Sequence, residues 1–513
     1  MKKELLIFFL LFVVLPLTAS ADLKSYCNDK IYQIEREDLD NLKIKNINVK
    51  IDDHRKWTKN SLNILIGNFR WIPKKFKKRF NSNVTVKFEN GLLCTFKARV
   101  RNNGNQKDHI ALKGNSIIQS IDVHLKTGSI NGITKFKLLR PNTRGNFKDE
   151  ILLTELLREF DYLAPRTNYI EAKINDVRSK MLFQEKPDVA LLKFNQRKEG
   201  PIFEGDERFM FRLAENVPDN QTSNLKIGML PLLEKGVNAM LARQINSEWI
   251  FKNKKHSDIS YNSLSNLNLA YLLYNNKYRD GKNDFWYSNY ILDNNLLALN
   301  NSKNVLKLDI YNLIVFSANG THGLGSNNRK FYWNSSENFF EPINSDTNAN
   351  IELETTFIPL PISEQIEVAF SDLEKLLDEI NTNEFTQKVT FRGLNLTELQ
   401  VKKKINKLKK NLYKLKTLYV EINPEIIAYN RNNKIEKKMW NKYYESLHEI
   451  NPNIYIVKHL SESSFFKRCE TKSLRCIDYN FSKNQIMDLV GGTLVIDGKE
   501  YQYVGKNADI DIN

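Results

Sequence analysis

The side chains best suited to chemistry lie in two short stretches of this chain. Residues 321–333, THGLGSNNRKFYW, place a His and two adjacent Asn before an aromatic run, and NFFEPINSD at 338–346 ends on Asp346. Asn carbonyl and Asp carboxylate oxygens are hard ligands that suit Mg²⁺. A His beside them could accept a proton near neutral pH. These residue types predict a polar site in which an ion and a base act together.

The two aromatic runs must position these groups. They are predicted strands of one hairpin, RKFYW at 329–333 and FFEPI at 339–343, joined by NSSEN. Placing Trp333 opposite Phe339 carries Asn327, Asn328 and Asp346 to the same end, within reach of one ion. The alternative is an ordinary polar hairpin end that holds no ion.

The spacing also offers a position for a catalytic base. In kinases, a catalytic-loop Asn and a later Asp hold Mg²⁺ against the ATP phosphates, and the base lies five residues before the Asn. His322 lies five residues before Asn327, and Asn319 is the other residue at that place. A His can act as a base, whereas an Asn cannot.

The amino terminus has the pattern of a secretory signal peptide. Residues 1–21 begin with two Lys, continue through an apolar run and end in Ala19-Ser20-Ala21. The apolar run is too short for a good membrane span. We therefore expect export to the periplasm or the extracellular envelope, with no membrane span after cleavage. An uncleaved anchor is the alternative.

Four cysteines in an exported chain predict disulfides rather than a metal site. Cys469 and Cys476 enclose a short loop that a bridge could close, which would leave Cys27 and Cys94 as the second pair. This is one of three pairings, and the sequence does not choose among them.

The chain of 513 residues has a net charge of +17, with lysine clusters at 74–80 and 401–416. These clusters are either solvated basic faces or surfaces that attract an anionic partner such as a nucleotide, an acidic polymer or a membrane. No nucleic-acid motif accompanies the charge, so we expect no nucleic acid as a partner.

Periodicity predicts sheet structure from 84 to 190 with one inserted helix. The segments are a hairpin at 84–104 turning at Asn90-Gly91, strands at 120–126 and 133–139, a helix at 146–160 with Asn146 as N-cap, and two strands at 168–186 joined at Asn175-Asp176.

The rest of the chain is predicted to be helical and then β-rich. Helices are predicted at 230–245, 268–275, 307–319 and 397–419, and the tail from 452 to 507 has the pattern of strands. In the helix at 397–419, Thr397 and Gln400 form a capping box, and an apolar stripe follows at 4-3-4-3-4 spacing. About three heptads favour packing onto its own domain over a coiled-coil dimer.

Several segments, in the same order, resemble the CotH family of spore-coat-type atypical kinases, especially its longer exported bacterial members. They are ARVRNNGNQKDH (98–109), SIDVHLKTGSINGITKFKLLRPNTR (120–144), DEILLTELLREFDYLAPRT (149–167), MLFQEK (181–186), EGPIFEGDE (199–207) and SANGTHGLGSNNRKFYWNSSENFFEPINSD (317–346). The resemblance covers roughly residues 84 to 350.

The resemblance implies an α+β, two-lobed, diverged protein-kinase-like domain with extensions at both ends. It also implies binding of ATP with Mg²⁺ or Mn²⁺. The expected division is a signal peptide at 1–21, an N-terminal extension at 22–83, a sheet-rich lobe at 84–210, a helical lobe with the metal-site hairpin at 211–370, and a C-terminal extension at 371–513.

A kinase site needs a strand Lys near the phosphates and a helix Glu to orient it. Lys126 is the preferred lysine, with Lys137 on the neighbouring strand as the alternative, and Glu150 opens the helix that follows. Glu185 matches a glutamate of the family pattern and would contact nucleotide or orient a basic residue.

Two further basic residues, Arg101 and Arg144, are candidates for phosphate contacts, although an exposed Arg is usually only solvated. The chain has no Gly-rich G-x-G-x-x-G turn, so cover for the phosphates would come from another loop, RNNGNQKDH at 101–109.

Two functions of different classes follow. One is an exported kinase-like phosphotransferase that acts on a protein or an anionic surface polymer. The other is a non-catalytic binding or scaffold protein of the envelope. The base position holds an Asn or a His, which argues against phosphate transfer more than against nucleotide binding. The scarcity of ATP outside the cytoplasm also argues against the phosphotransferase.

Overall fold

The computed structural model describes Cys27 and residues 42–69, 71–114, 116–208, 240–277, 291–355 and 358–432, together with six short strands between 444 and 502. The predicted signal peptide at 1–21 and most of the predicted helix at 230–245 lie outside these residues. No helix in the described part of the chain is long and apolar enough to cross a membrane.

Nine strands lie in the part of the amino-terminal half that the structure describes. In chain order they are β1 (Ile44–Ile51), β2 (Phe80–Phe88), β3 (Leu93–Asn102), β4 (Ile110–Lys113), β5 (Ser116–Gln119), β6 (Ile121–Leu125), β7 (Lys135–Leu139), β8 (Thr167–Ile174) and β9 (Val177–Glu185). The strands β4 and β5 form a separate two-stranded ribbon.

The other seven strands close into a barrel in the order β1-β2-β3-β6-β7-β9-β8. All neighbours are antiparallel except β1 and β8, which pair in parallel and close the barrel. Alternate side chains point inward and form a buried apolar core that includes Val49, Val86, Val123 and Phe183.

The closed barrel overturns the expected two-lobed, protein-kinase-like fold, although the chain does mix helices and strands. The strands predicted from 84 to 190 are present. However, β1 was not predicted, and it pairs with β2 on one side and β8 on the other. Alternation of apolar residues assigns faces to a strand, but it does not reveal whether the sheet closes.

A second sheet contains the predicted metal-site hairpin. Its strands are β10 (Ile202–Gly205), β11 (Ala242–Gln244), β12 (Lys330–Asn334) and β13 (Phe339–Ile343), in the order β11-β10-β12-β13. The strand β11 falls inside the segment predicted as a helix at 230–245, so that prediction is wrong at this end.

The predicted register of the β12–β13 hairpin is wrong by one residue. Asn334, not Trp333, lies opposite Phe339. The Asn334 side chain accepts hydrogen bonds from the backbone amides of Ser336 (3.1 Å) and Glu337 (3.2 Å). The backbone carbonyl of Asn334 accepts one from the amide of Asn338 (2.7 Å). Asn334 therefore closes the turn as the last strand residue.

Ten helices complete the described fold. They are α1 (His54–Ile66), α2 (Phe147–Glu159), α3 (Val189–Phe194), α4 (Ser247–Ile250), α5 (Lys254–Lys277), α6 (Asn294–Leu297), α7 (Ser302–Ser317), α8 (Ile366–Asp378), α9 (Thr382–Phe391) and α10 (Glu398–Asn432). The predicted helices at 146–160, 268–275, 307–319 and 397–419 are confirmed as α2, part of α5, α7 and α10, and Asn146 caps α2 as predicted.

The largest apolar core joins α2, α7, α8, α9 and α10. The predicted stripe of α10 is buried in it, at Val401, Ile405, Leu408, Leu412, Leu415 and Tyr419. The capping box is also confirmed, because the Thr397 amide donates to Gln400 Oε1 (2.9 Å) and the Gln400 amide donates to Thr397 Oγ1 (3.3 Å). The helix therefore packs onto its own chain.

One of the two predicted cysteine pairs is bridged, and the other stays a prediction. Cys27 is bridged to Cys94 of β3. In the tail, the strands Phe466–Glu470 and Cys476–Tyr479 place Cys469 directly opposite Cys476 in the backbone register. The tail strands agree with the β-rich pattern predicted there.

Candidate functional site

A cleft of about 1060 Å³ lies between the barrel and the second sheet. We call its two sides the barrel wall and the sheet wall. The barrel wall is formed by β3, β6, β7, the residue Lys186 and the loop at 102–109. The sheet wall is formed by β10, β12 and the segments at 322–328 and 345–348.

Outward-facing residues of three adjacent strands make the barrel wall strongly basic. Arg101, Asp122 and Lys137 lie opposite one another across β3, β6 and β7. The Asp122 carboxylate is buried and contacts three cations, at 2.9 Å from Arg79, 3.3 Å from Arg101 and 2.8 Å from Lys186. Burial would raise the pKa of Asp122, but Lys186 and the two arginines hold it well below its usual range.

One carboxylate therefore serves three cations, and the wall keeps excess positive charge. The Nε of Arg101 is buried and has no hydrogen-bond partner among the described residues. This unused donor and the excess charge suit an anionic ligand.

Lys137 adds a further cation to this wall. It is half-buried and lines the cleft, and it forms no ion pair with any residue that the structure describes. Burial lowers the pKa of Lys137 to about 8, with a smaller opposing effect from Asp346. The ammonium thus faces the cleft without a fixed partner, which is what a phosphate contact requires.

On the sheet wall, Asp346 is held by an arginine. Arg144 Nη1 lies 2.7 Å from Asp346 Oδ1, and Arg144 Nε lies 3.9 Å from Glu150 Oε1. Burial would raise the pKa of Asp346, but Arg144, His322 and Lys137 hold it well below its usual range. Asp346 is therefore ionised, and its second oxygen is left for another ligand.

Glu150 positions this segment and does not line the cleft. It is buried on α2, and its carboxylate accepts hydrogen bonds from the Thr347 hydroxyl (2.8 Å) and the Ala349 amide (3.4 Å). Its cationic neighbour is Arg144, so the expected pairing of Glu150 with Lys126 is wrong.

His322 contacts Asp346 and Asn328. Nδ1 lies 2.8 Å from the Asp346 carbonyl, and the Asn328 side-chain nitrogen lies 3.4 Å from Nδ1 and 3.2 Å from Nε2. Because a carbonyl only accepts, the contact with Asp346 requires a proton on Nδ1. The Asn328 nitrogen is almost equally far from both ring nitrogens, so it lies against the ring and not along the Nε2 lone pair.

Asn327 faces the cleft with an unused group. It is buried, and its Nδ2 has no hydrogen-bond partner among the described residues. A Cβ on Gly205 would come within 2.1 Å of the Ser326 carbonyl, so this glycine lets β10 pack against the segment that carries Asn327.

Two carboxylates of β10 and the residues after it complete the sheet wall. Glu204 contacts Lys330 at 2.6 Å and also pairs with Arg243. Glu207 accepts a hydrogen bond from Asn105 of the barrel wall (3.0 Å). Burial and the charge of Glu204 raise the pKa of Glu207 to about 7.

The loop predicted to cover a phosphate does line the cleft. Residues 101–106, 108 and 109 contribute to the barrel wall. Gly104 adopts a φ of +93°, and a Cβ there would lie 1.9 Å from the His109 ring, so no other residue fits this turn.

The structure thus brings Arg101, Lys137, Arg144, His322, Asn327, Asn328 and Asp346 to one cleft. Four predicted site residues do not line the cleft: Glu150, described above, and Lys126, Asn319 and Glu185. Lys126 is exposed just beyond the end of β6 and does not line the cleft, so the alternative lysine, Lys137, takes its place. Asn319 donates to the Leu353 carbonyl at 2.8 Å, away from the lining residues.

Glu185 also lies away from the cleft. Its carboxylate accepts from Arg166 at 2.9 Å and 2.7 Å, and both side chains are buried. Glu185 therefore orients the basic residue Arg166, which is one of its two predicted roles. Its carboxylate is not available to a nucleotide.

Sequence reasoning missed Asp122, Lys186, Glu204, Glu207 and Lys330 as site residues. Asp122 carried a usable signal, because it alternates outward from the apolar residues of β6. Glu204 and Lys330 carried none, since they meet only through the pairing of β10 with β12, 126 residues apart.

The chain matches no protein-family model, and no curated protein sequence matches it significantly. The resemblance to the CotH family therefore stays a prediction.

Proposed function

We propose that the cleft binds a nucleotide phosphate with a divalent cation, ATP with Mg²⁺ or Mn²⁺ being the ligand that the resemblance implies. The protein would then be an exported phosphotransferase acting on a protein or an anionic surface polymer. The observation that carries this proposal is the basic barrel wall, with unpaired Lys137 and the unused Nε of Arg101 facing Asp346 across one cleft.

The residues present fit a cation of this kind. Mg²⁺ in nucleotide sites is held by one or two carboxylates, by waters and by the phosphates themselves, and not by a cage of protein ligands. Asp346 supplies an ionised carboxylate, and Asn327 would bind the ion through Oδ1 while its unsatisfied Nδ2 donates to a phosphate oxygen. In the described residues no cluster of three or more His, Cys, Asp or Glu could hold an ion alone. When bound, the ion would offset phosphate charge.

The chain's own residues would share the remaining work. Lys137, Lys186 and Arg101 would bind the phosphate oxygens from the barrel wall. Arg144 would hold Asp346 in place, since it is buried between Asp346 and Glu150. Asn105 would keep the loop against the sheet wall through Glu207.

A specific observation favours the second function, a binding protein without catalysis. The Nδ1 of His322 is engaged by the Asp346 carbonyl, and the Asn328 nitrogen lies against the ring. A base in this position would have to act through Nε2 alone.

Thermal stability with and without ligand tests nucleotide binding. ATP with Mg²⁺ or Mn²⁺ should raise the melting temperature of the mature protein, and Asp346→Asn should remove the metal-dependent part of the shift, because the amide keeps the size but loses the charge. Asp378→Asn is the matched control, since Asp378 lies on α8, is exposed and pairs with Lys409 of α10. A wild type that no metal–nucleotide pair stabilises would refute the proposal.

Transfer of labelled γ-phosphate separates the two functions. If His322 is the base, His322→Ala should keep the nucleotide shift and slow transfer by about 10²- to 10⁴-fold. Nucleotide binding without any transfer in wild type would favour the binding protein. Equal transfer rates in wild type and His322→Ala would exclude His322 as the base.

A further inference from the structure

The helix α10 displays a strongly basic surface far along the chain from the cleft residues. Between Glu398 and Tyr419 it carries eight lysines and a single acidic residue. Three of the lysines pair with carboxylates of the same chain: Lys404 with Asp149 and Glu352, Lys409 with Asp378, and Lys416 with Glu374. The other five, Lys402, Lys403, Lys407, Lys410 and Lys414, form no ion pair with the described residues.

The paired and unpaired lysines occupy different parts of the helix surface. At about 100° per residue, the five unpaired lysines fall within an arc of about 140°. The buried stripe from Val401 to Tyr419 lies on the opposite side, and the three paired lysines lie on the flanks between them. Carboxylates of the same chain therefore neutralise the lysines at the edges of this surface, and the lysines between them keep their charge.

This surface, which we call the lysine face, is open to solvent. Lys402, Lys403, Lys410 and Lys414 are exposed, and Lys407 lies half-buried at its edge. Two large exposed side chains without charge share the arc, Tyr413 at 69% exposure and Leu399 at 62%. Lys404, and more weakly Lys407, lower the pKa of Glu352, an acidic group at that edge.

The lysine face is also rigidly held. The opposite side of α10 is part of the main helical core. Asn411, in the middle of the helix, donates to the carbonyls of Ser317 (2.7 Å), Ile351 (3.2 Å) and Leu353 (3.1 Å). A partner would therefore meet a preorganised row of charges, which lowers the entropy cost of binding.

We propose that the lysine face binds a linear polyanion, a polymer that carries phosphate, sulfate or carboxylate groups at regular intervals. Lys403, Lys407, Lys410 and Lys414 follow one another at steps of four, three and four residues, a rise of about 4.5 to 6 Å per step along the axis. The row is thus a line of charge about 17 Å long. Exposed Tyr413 lies beside it and offers a ring for packing against the polymer backbone.

A line of charge suits a polymer better than a lipid surface. Surface-bound helices usually insert a continuous apolar face between lipids. Here the apolar face of α10 is buried in the protein, and the exposed apolar side chains in the arc are Leu399 and Tyr413, about 21 Å apart. This proposal does not depend on the function of the cleft.

Binding of long-chain inorganic polyphosphate to the full mature protein tests the proposal. The variant with Lys403, Lys407, Lys410 and Lys414 changed to Gln is compared with a control in which Lys87, Lys97, Lys252 and Lys255, all exposed, are changed to Gln. Both lose four charges. We expect the first to lose about tenfold or more in affinity and the control to lose far less. In the first variant, the slope of log affinity against log salt concentration should also become shallower by about three to four units, because fewer counterions are released.

Equal losses in the two variants would overturn the proposal, because only net charge would then matter. Binding to vesicles containing anionic lipid, with none to polyphosphate, would also overturn it in favour of a membrane surface. The nucleotide-dependent shift in melting temperature is measured on the same variants. It should be unchanged, so a failure of the lysine face and a failure of the cleft are distinguishable.

Discussion

At the residue scale, the cleft is defined by cations that outnumber the carboxylates beside them. Asp122 is shared by Arg79, Arg101 and Lys186, whereas Lys137 has no ion pair among the residues described. Asp346 and Glu150 share Arg144. Since buried charges are costly unless they are compensated, the excess cations of the barrel wall favour an anionic ligand over an empty cleft.

The lysine at the centre of this arrangement should make anion binding depend on pH. Burial lowers the pKa of Lys137 to about 8, from about 10.5 for an exposed lysine. Below pH 8 the ammonium is charged and can bind phosphate. Above pH 8 it loses its proton in the free protein, so affinity should fall by up to about tenfold per pH unit.

Isothermal titration with tripolyphosphate from pH 6.5 to 9.5 measures this dependence. Lys137→Arg keeps a positive charge throughout the range and should abolish the loss above pH 8, while Lys137→Gln should bind weakly at every pH. If wild type and Lys137→Arg lose affinity in parallel, then another group or the ligand causes the change, and Lys137 does not contact the anion.

At the element scale, hydrogen bonds and backbone conformations within a few residues explain both the turns that were predicted correctly and the hairpin register that was not. The Asn90-Gly91 and Asn175-Asp176 turns form as predicted, with φ values of +88° at Gly91, +43° at Asn175 and +67° at Asp176. The β12–β13 hairpin slips by one residue because Asn334 bonds the turn amides and thereby joins the strand. A shift of one residue exchanges the two faces, so the site cannot be built from the predicted register.

The tail hairpin leads to a prediction about Cys469 and Cys476. These residues lie directly opposite each other in an antiparallel pair. Opposite residues have Cα atoms about 4.5 to 5.5 Å apart, which falls within the range that a disulfide spans. We therefore expect a bridge, and a loop this short would contribute about 2 to 3 kcal/mol to stability in the loop-entropy account. Peptide mapping without reductant, on protein from an oxidising compartment, should recover the two linked, and free thiols at both would contradict the prediction.

At the scale of the whole molecule, the Cys27–Cys94 bridge ties the amino-terminal region to the barrel. It joins residues 67 apart in sequence and attaches Cys27 to β3. A bond of this kind persists in an oxidising compartment, which agrees with the export that residues 1–21 predict.

We expect the mature chain to begin at Asp22 and to keep this bridge. Removal of Met1–Ala21 leaves Cys27 in place, so processing and bridge formation are compatible. The intact mass of the exported protein, with and without reductant, measures both. A chain that retains Met1–Ala21 would support the uncleaved anchor, and free thiols at Cys27 and Cys94 would contradict the bridge.

The sequence by itself determined the features that depend on neighbours along the chain. The N-cap Asn146, the capping box of Thr397 and Gln400, the buried stripe of α10 and the tight turns follow from spacing of three or four residues. It also indicated Asp346 and Asn327 as site residues, because polar groups next to strand ends are visible in a pattern, and it offered Arg144 as a candidate phosphate contact.

Only the tertiary structure decided which distant elements meet. Closure of the barrel required β1 to pair with β8 across more than a hundred residues, and the choice of Lys137 over Lys126 required the cleft that the second sheet forms against β7. Hydrophobic alternation is the same in an open and a closed sheet, and a lysine on an outward face has the same pattern whether it meets solvent or another wall. Long-range packing therefore determines the fold and brings the site residues together. The local sequence supplies these residues but does not show that they will meet.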